Sequence, residues 1–400
     1  MNNETRKETQ VLPKDVRYVG ADDLTLPLFE NQYPVQPMGV SYNSYLILDE
    51  KIAVMDSVDA RAADEWLAKL AHELDGRSPD YLVISHMEPD HSGSILRLAE
   101  KYQEMKLVGN TKTFTMLRQF FGAKAPTDDR LLEVGEGETL PLGAHTLHFM
   151  LAPMVHWPEV MVAYEETEKL LFSADAFGRF GALSRTAGAP WAPQARRYYY
   201  NIVGKYGAQV QALLKKAAAL EIETICPLHG PVLTGEALGE ALRLYDLWSR
   251  WQSESPDDIL LAHASIHGNT ARAAELFKQK LEAKGARVTL CDLTTTEVSY
   301  AVANAFCCGK LVLACSTYDG GLFPPMEEFL SHLQAKGFRD RSVGLMENGS
   351  WAPAAARLMR AKLEEMKDLR VCGTVVSLRS ALSPASEAQM DALTTELCAK

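Results

Sequence analysis

Short apolar runs alternate with amphipathic stretches along most of this chain. Residues 40–48 and 52–56 read as two strands of a hairpin turned at Asp49-Glu50-Lys51. A helical pattern over 60–74 follows, then a buried strand at 81–84 and a second helical pattern over 94–100. The alternation continues through Lys106-Leu107-Val108, a helix over Thr111–Phe121 and several short strands between 130 and 173. Hairpins mixed with crossovers predict an α/β layered domain with sheets packed against each other. Residues 1–20 carry little periodicity and read as an extended lead-in.

A polar, proline-bearing stretch at 251–258 separates a helix over 236–250 from a new strand, which divides the chain into domains at 1–252 and 257–400. Five strand-like runs follow at fairly regular spacing, at 259–264, 286–291, 310–315, 342–346 and 370–376, with helical patterns between them. That predicts a five-stranded parallel sheet of the doubly wound type, with ligands at the carboxyl ends of its strands.

Composition narrows the function. The 400 residues are 47% hydrophobic and 23% charged, enough for large cores, and the formal net charge is −11. Nucleic acids and anionic membrane surfaces call for clustered basic surface, so neither is an expected partner. No apolar run approaches a membrane span and Met1 to Lys7 lead into no signal core, so the expected location is the cytoplasm. The cysteines, at 226, 291, 307, 308, 315, 372 and 398, form no Cys-x-x-Cys pair. They read as reduced thiols, and external electrons are expected from another protein.

The most specific stretch is Ser85-His86-Met87-Glu88-Pro89-Asp90-His91-Ser92-Gly93, on a loop between strand and helix. His86, Glu88, Asp90 and His91 can all ligate a metal, whereas capping the next helix needs only one such residue. Three further candidates each follow a strand-like run: His156, Asp175 and His229. Ligands arriving from separate strands at one sheet edge suit a two-metal site. Taken singly, a histidine in a turn such as Pro227-Leu228-His229-Gly230-Pro231 is more often structural than a ligand. Histidines 72, 145, 148, 263 and 332 lack such context and read as surface or satisfied core residues.

In the second half, Ser265-Ile266-His267-Gly268-Asn269-Thr270 joins the first strand to a helix. Its hydroxyls and the helix's first N–H groups can hold a phosphate without a lysine, although a capped helix start alone would look the same. Neither Gly-Lys-Ser/Thr nor Gly-x-Gly-x-x-Gly is present, so this is neither a nucleotide P-loop nor a dinucleotide fingerprint. The third and fourth strands lead into Ser316-Thr317-Tyr318-Asp319-Gly320-Gly321 and Glu347-Asn348-Gly349-Ser350-Trp351-Ala352. Each loop pairs glycine with an aromatic, as a planar ring requires.

The ligand order resembles the metallo-β-lactamase superfamily, whose signature is His-x-His-x-Asp-His followed by His, Asp and His. Glu88 stands where that pattern has its second histidine, and this exchange resembles the flavodiiron proteins, also called A-type flavoproteins. An anionic oxygen ligand in place of imidazole hardens the site and favours iron over zinc. The resemblance implies an αββα metallo-β-lactamase-like domain followed by a flavodoxin-like one. One iron would take His86, Glu88 and His156, the other Asp90, His91 and His229, with Asp175 bridging. FMN would lie against residues 265–270, with Ser316, Thr317, Tyr318, Asp319 and Gly320 and with Asn348, Gly349, Ser350 and Trp351 framing its ring. His267 departs from the tyrosine more common at that position, and the aromatic run at 196–201 fits the same family.

The function so implied is reduction of O2 to water or of NO to N2O. Electrons would come from a separate donor such as rubredoxin or a reduced deazaflavin. A head-to-tail homodimer, or a dimer of dimers, would bring each flavin beside a partner's irons. Two other readings compete: a zinc hydrolase of the metallo-β-lactamase type, and an FMN electron carrier whose first domain holds no metal.

Overall fold

The computed structural model describes residues 11–398. The chain divides into two compact units, one ending at Asp246 and the other beginning at Leu247. The division falls within the helix Gly235–Ser249, ahead of the polar stretch at 251–258.

The first unit is a sandwich of two six-stranded sheets. One runs in the order Val16–Tyr18, Tyr45–Ile47, Ala53–Met55, Tyr81–Val83, Lys106–Gly109, Leu131–Glu133. The other runs Thr139–Pro141, Thr146–Leu151, Met161–Glu165, Leu170–Phe172, Thr224–Cys226, Leu233–Thr234. Their inner faces meet in one core, where Tyr45, Met55, Val83 and Val108 pack with Leu147, Phe149, Met161 and Phe172. At about 25 cal/mol per Å2 of apolar surface removed from water, this contact is the main stabilising term of the unit.

Helices attach through alternating burial and local capping. Ala63–Leu74 buries Trp66, Leu70 and Leu74 along one stripe. Thr111–Phe121 starts at Asn110, whose side chain accepts from the N–H groups of Lys112 and Thr113. The same Asn110 amide donates to the Glu159 carbonyl at 2.6 Å, which ties a helix start to the loop that carries His156.

Three local expectations are corrected. The lead-in contains Val16–Tyr18, an edge strand paired antiparallel with Tyr45–Ile47. The run 40–48 is not one strand: Val40–Tyr42 pairs with Ala21–Asp23, and Tyr45–Ile47 forms the hairpin with Ala53–Met55. The break lies at Asn43, whose amide donates to the carbonyls of Pro227 and Gly230 at 2.8 and 2.7 Å. The metal-ligand loop also contains a short helix, Pro89–Ser92, with proline at its first turn.

The second unit holds five parallel strands in the order Val288–Asp292, Ser255–Ala264, Cys308–Tyr318, Ser342–Asn348, Arg370–Leu378, the flavodoxin-like 2-1-3-4-5 arrangement. A two-residue strand, Gly321–Leu322, turns back on the third. The first strand begins at Ser255, so the polar stretch read as a boundary is partly strand. Gly309 permits this, because a Cβ there would collide with the Pro256 carbonyl. Phe277, Leu281, Leu393 and Leu397 cover one face of the sheet.

Candidate metal centre and flavin cavity

Parallel pairing aligns the carboxyl ends of Ala53–Met55, Tyr81–Val83 and Lys106–Gly109, and likewise of Leu170–Phe172 and Thr224–Cys226. The loops leaving Tyr81–Val83, Leu170–Phe172 and Thr224–Cys226 carry six of the predicted ligands, and His156 follows Thr146–Leu151. Glu88 is extended, with φ −58° and ψ 141°, immediately before Pro89–Ser92, which presents Asp90 and His91. Gly230, at φ +81°, turns the chain directly after His229, and its N–H donates to the Ser41 hydroxyl at 2.8 Å.

The seven candidates converge into two adjoining groups. In one, His156 Nε2 lies 3.1 Å from Glu88 Oε2 and 2.9 Å from Asp175 Oδ2, and His86 Nε2 lies 3.3 Å from Glu88 Oε2 and 3.6 Å from Asp175 Oδ2. In the other, His91 Nε2 and His229 Nε2 face each other at 3.0 Å, with Asp90 Oδ2 at 3.4 and 3.3 Å. Asp175 Oδ1 is 3.2 Å from His91 and 3.7 Å from His229. Each oxygen of Asp175 therefore faces one group.

Two features suit cations here. His86 Nδ1 is 2.7 Å from Glu159 Oε1 and His229 Nδ1 is 2.7 Å from the Ser41 carbonyl, so both rings turn Nε2 lone pairs inward. His91 and His229 turn their Nε2 atoms toward each other inside the group, and both Asp90 oxygens and Asp175 Oδ1 are buried without a hydrogen bond. Cis ligands on bonds of about 2.1 Å stand about 3 Å apart, and the spacings here are of that order.

The electrostatics agree. Burial favours neutral imidazole at His86, yet hydrogen bonds to Glu159 and Glu88 and the Asp175 charge push it well above its usual value. At His156 burial is again opposed, by hydrogen bonds to Asp175 and Glu88, and the ring is pushed up to about 9. Burial works against ionised Asp175, but the surrounding histidines hold it well below the carboxylate range. Three buried carboxylates thus draw positive charge, as protons on imidazole or as metal ions. Since protonated His156 must release its proton to ligate, metal affinity rises with pH up to about 9, about tenfold per unit for each proton displaced. Adding metal to metal-free protein at pH 7 with a pH indicator should register proton release; none would contradict this account.

Residues that the sequence did not single out orient the ligands. Glu159 accepts from the Met87 N–H at 2.9 Å as well as engaging His86, and Asp56 accepts from the Ser85 N–H at 2.7 Å. Burial pushes the Asp56 carboxyl up to about 6. Only Glu159's position three residues after His156, and Asp56's at a strand end, hinted at these roles. Glu159→Gln should lower metal affinity by about 10- to 100-fold and leave flavin content unchanged, by metal and flavin analysis of one preparation. Phe29, Tyr42 and Tyr198 wall His229 at ring-centroid distances of 5.3, 6.1 and 5.6 Å. Tyr198 comes from the aromatic run, which ends the helix Trp191–Tyr198 and enters a wide turn over Tyr199–Val203.

Of the remaining histidines, His145 is satisfied by Asp49 at 2.8 Å and His148 pairs with Glu166 at the surface. His263 differs from its reading as satisfied: its buried Nδ1 makes no hydrogen bond, with Asp292 3.8 Å away. Burial depresses its basicity.

In the second unit a cavity of about 510 Å3 opens at the carboxyl ends of the strands, a volume typical of cofactor sites. Ser265, Ile266, His267, Asn269, Thr270, Ser316, Thr317, Tyr318, Asp319, Gly320, Asn348, Gly349, Ser350 and Trp351 line it, together with Ala352 and Ser380. Gly268 does not line it; at φ +87° it turns the chain into the helix Asn269–Glu282. Thr317 turns its hydroxyl to the N–H groups of Ala354 and Ala355, at the start of the helix Ala355–Glu364. Trp351 is 88% exposed at the rim, available to cover a planar ligand.

Residues 40–230 match the family described as ODP family beta lactamase. The rubredoxin-oxygen oxidoreductase of Megalodesulfovibrio gigas is 28% identical over 356 residues, 87% of each chain. The nitric oxide reductase of Moorella thermoacetica is 27% identical over 361 residues, 88% of each chain. The crystal structure of the flavodiiron protein from Giardia intestinalis superposes with a TM-score of 0.88 at 26% identity, covering 96% of this chain and 95% of that one. Fold and site together define a metallo-β-lactamase-like domain followed by a flavodoxin-like domain. In fold the chain is similar to the flavodiiron proteins, and its first unit carries the match to the ODP beta-lactamase family. Among the described residues no helix is long and apolar enough to cross a membrane.

Proposed function

We propose that this protein is an oxidoreductase that reduces O2 to water or NO to N2O at a non-haem diiron site, with FMN passing on electrons from an external donor. The observation that carries the reading is the pairing, in one chain, of a carboxylate-rich two-metal cluster with a cavity built for a flavin phosphate and ring. The names of the relatives, an oxygen reductase and a nitric oxide reductase, support the same chemistry.

In this reading His86, Glu88 and His156 would hold one iron and Asp90, His91 and His229 the other, with Asp175 placed between the two groups. His91 is assigned as a direct ligand because its Nε2 points into the cluster. When bound, the irons supply a binding site for the gas and two electrons, and reduced FMN two more. The chain's own part is to orient and to exclude water. Glu159 and Ser41 fix two imidazoles, Glu88 keeps the site anionic, and the aromatic wall dries the side around His229. In the second unit, the Ser265 hydroxyl and the helix start at Asn269 would hold the phosphate, and the loops at 316–320 and 348–351 would frame the ring.

The donor is a separate rubredoxin-like protein or reduced deazaflavin, consistent with seven free cysteines and no Cys-x-x-Cys pair in this chain. A head-to-tail homodimer is part of the proposal, and a sedimenting monomer with rapid turnover would remove it. The primary test is metal and flavin content of anaerobically purified protein, followed by O2 and NO consumption. Two irons and one FMN per chain support the reading. Two zincs and no flavin would turn it to hydrolysis.

A further inference from the structure

The second unit's cavity has a wall beyond the three loops that the sequence pattern indicated. Ser380 lies just past the fifth strand, Arg370–Leu378, and lines the cavity. It has φ +72°, a left-handed conformation that a non-glycine residue keeps only where its surroundings impose it. All of its polar groups engage the ring-side loop. Its N–H donates to Asn348 Oδ1 at 3.1 Å, its carbonyl accepts from Asn348 Nδ2 at 3.0 Å, and its hydroxyl lies 2.8 Å from that of Ser350. Asn348 Nδ2 also donates to Thr270 Oγ1 at 3.2 Å, and Thr270 lies 2.9 Å from Ser316 Oγ. One hydrogen-bonded chain thus crosses the cavity floor and links the loops after the first, third, fourth and fifth strands.

We propose that Ser380 is a positioning residue for the flavin ring, holding Asn348 and Ser350 so that the loop ending in Trp351 is set before the cofactor arrives. The inference rests on the FMN reading above. Preorganisation of this kind raises affinity by removing the cost of ordering the loop on binding. The Ser380 hydroxyl reaches Ser350 alone, and its contacts to Asn348 run through its backbone, so removing the hydroxyl acts on the ring-side loop and leaves the Asn348–Thr270 bond in place.

The test uses the full-length protein, with FMN and riboflavin binding followed by flavin fluorescence and the flavin midpoint potential measured beside it. Ser380→Ala should weaken FMN and riboflavin by the same factor, about 5- to 10-fold for one lost hydrogen bond, and shift the potential. Ser350→Ala should do the same, and the double variant should be no weaker than Ser380→Ala. Should Ser380→Ala fail to fold, Ser350→Ala alone carries the comparison. Unchanged affinities and potential would overturn the proposal, as would a loss confined to FMN. An unchanged protein that binds no FMN would instead overturn the underlying cofactor reading.

Discussion

Asp175→Asn should give a protein that keeps its flavin spectrum and loses O2 and NO reduction by about 100-fold or more. The reason is the division of labour between its oxygens, one 2.9 Å from His156 and the other 3.2 Å from His91. An asparagine keeps one acceptor oxygen and replaces the other by an NH2 group, which has no lone pair to offer a metal. It also removes a negative charge from the centre of the cluster, where a low local dielectric makes that charge count most. Metal analysis should find fewer than two irons per chain, while flavin absorbance stays at that of the unchanged protein. Normal gas consumption by this variant would take Asp175 out of the site.

Glu88→His should exchange the metal. Glu88 Oε2 reaches two histidines at 3.1 and 3.3 Å, so an imidazole nitrogen can occupy nearly the same place. The site then has two carboxylates where it had three, and five imidazoles where it had four. Softer, less anionic ligand sets shift preference from iron to zinc. Protein made in medium containing both metals should carry mainly zinc, with gas reduction down by about 100-fold, because zinc has no redox chemistry. A variant that retains iron and turnover would show that the metal is chosen elsewhere in the structure.

The two residues differ in how directly the sequence marks them. Glu88 stands in a contiguous motif, where four metal-binding side chains crowd the stretch from His86 to His91, more than a helix cap or a turn has use for. Asp175 and His229 were legible only because each closes a strand, and their partnership with the motif needed the sandwich to bring distant segments together. Glu159 and Asp56 carried no such mark, since their roles consist of contacts with backbone and ring nitrogens that no local pattern encodes. The division of the run 40–48 was hidden for a related reason. All nine positions look strand-like, and the turn is imposed by Asn43 reaching for carbonyls near residue 229. The three central strands of the second unit were easier, because a strand buried on both faces is written as an uninterrupted apolar run. Ser380 lay beyond that kind of signal, as an ordinary serine made special by φ and by hydrogen bonds to a different loop.

The cluster's ligands come from four separate excursions of the chain, around residues 86–91, 156, 175 and 229. A bound metal pair therefore acts as a set of cross-links, closing rings through both sheets of the first unit. A metal that binds the folded form and not the unfolded chain adds to stability in proportion to the logarithm of its concentration over its dissociation constant. Metal supply is thus expected to raise the stability of the first unit, while the hydrogen-bonded floor of the second unit's cavity is built from Thr270, Ser316, Asn348, Ser350 and Ser380 alone.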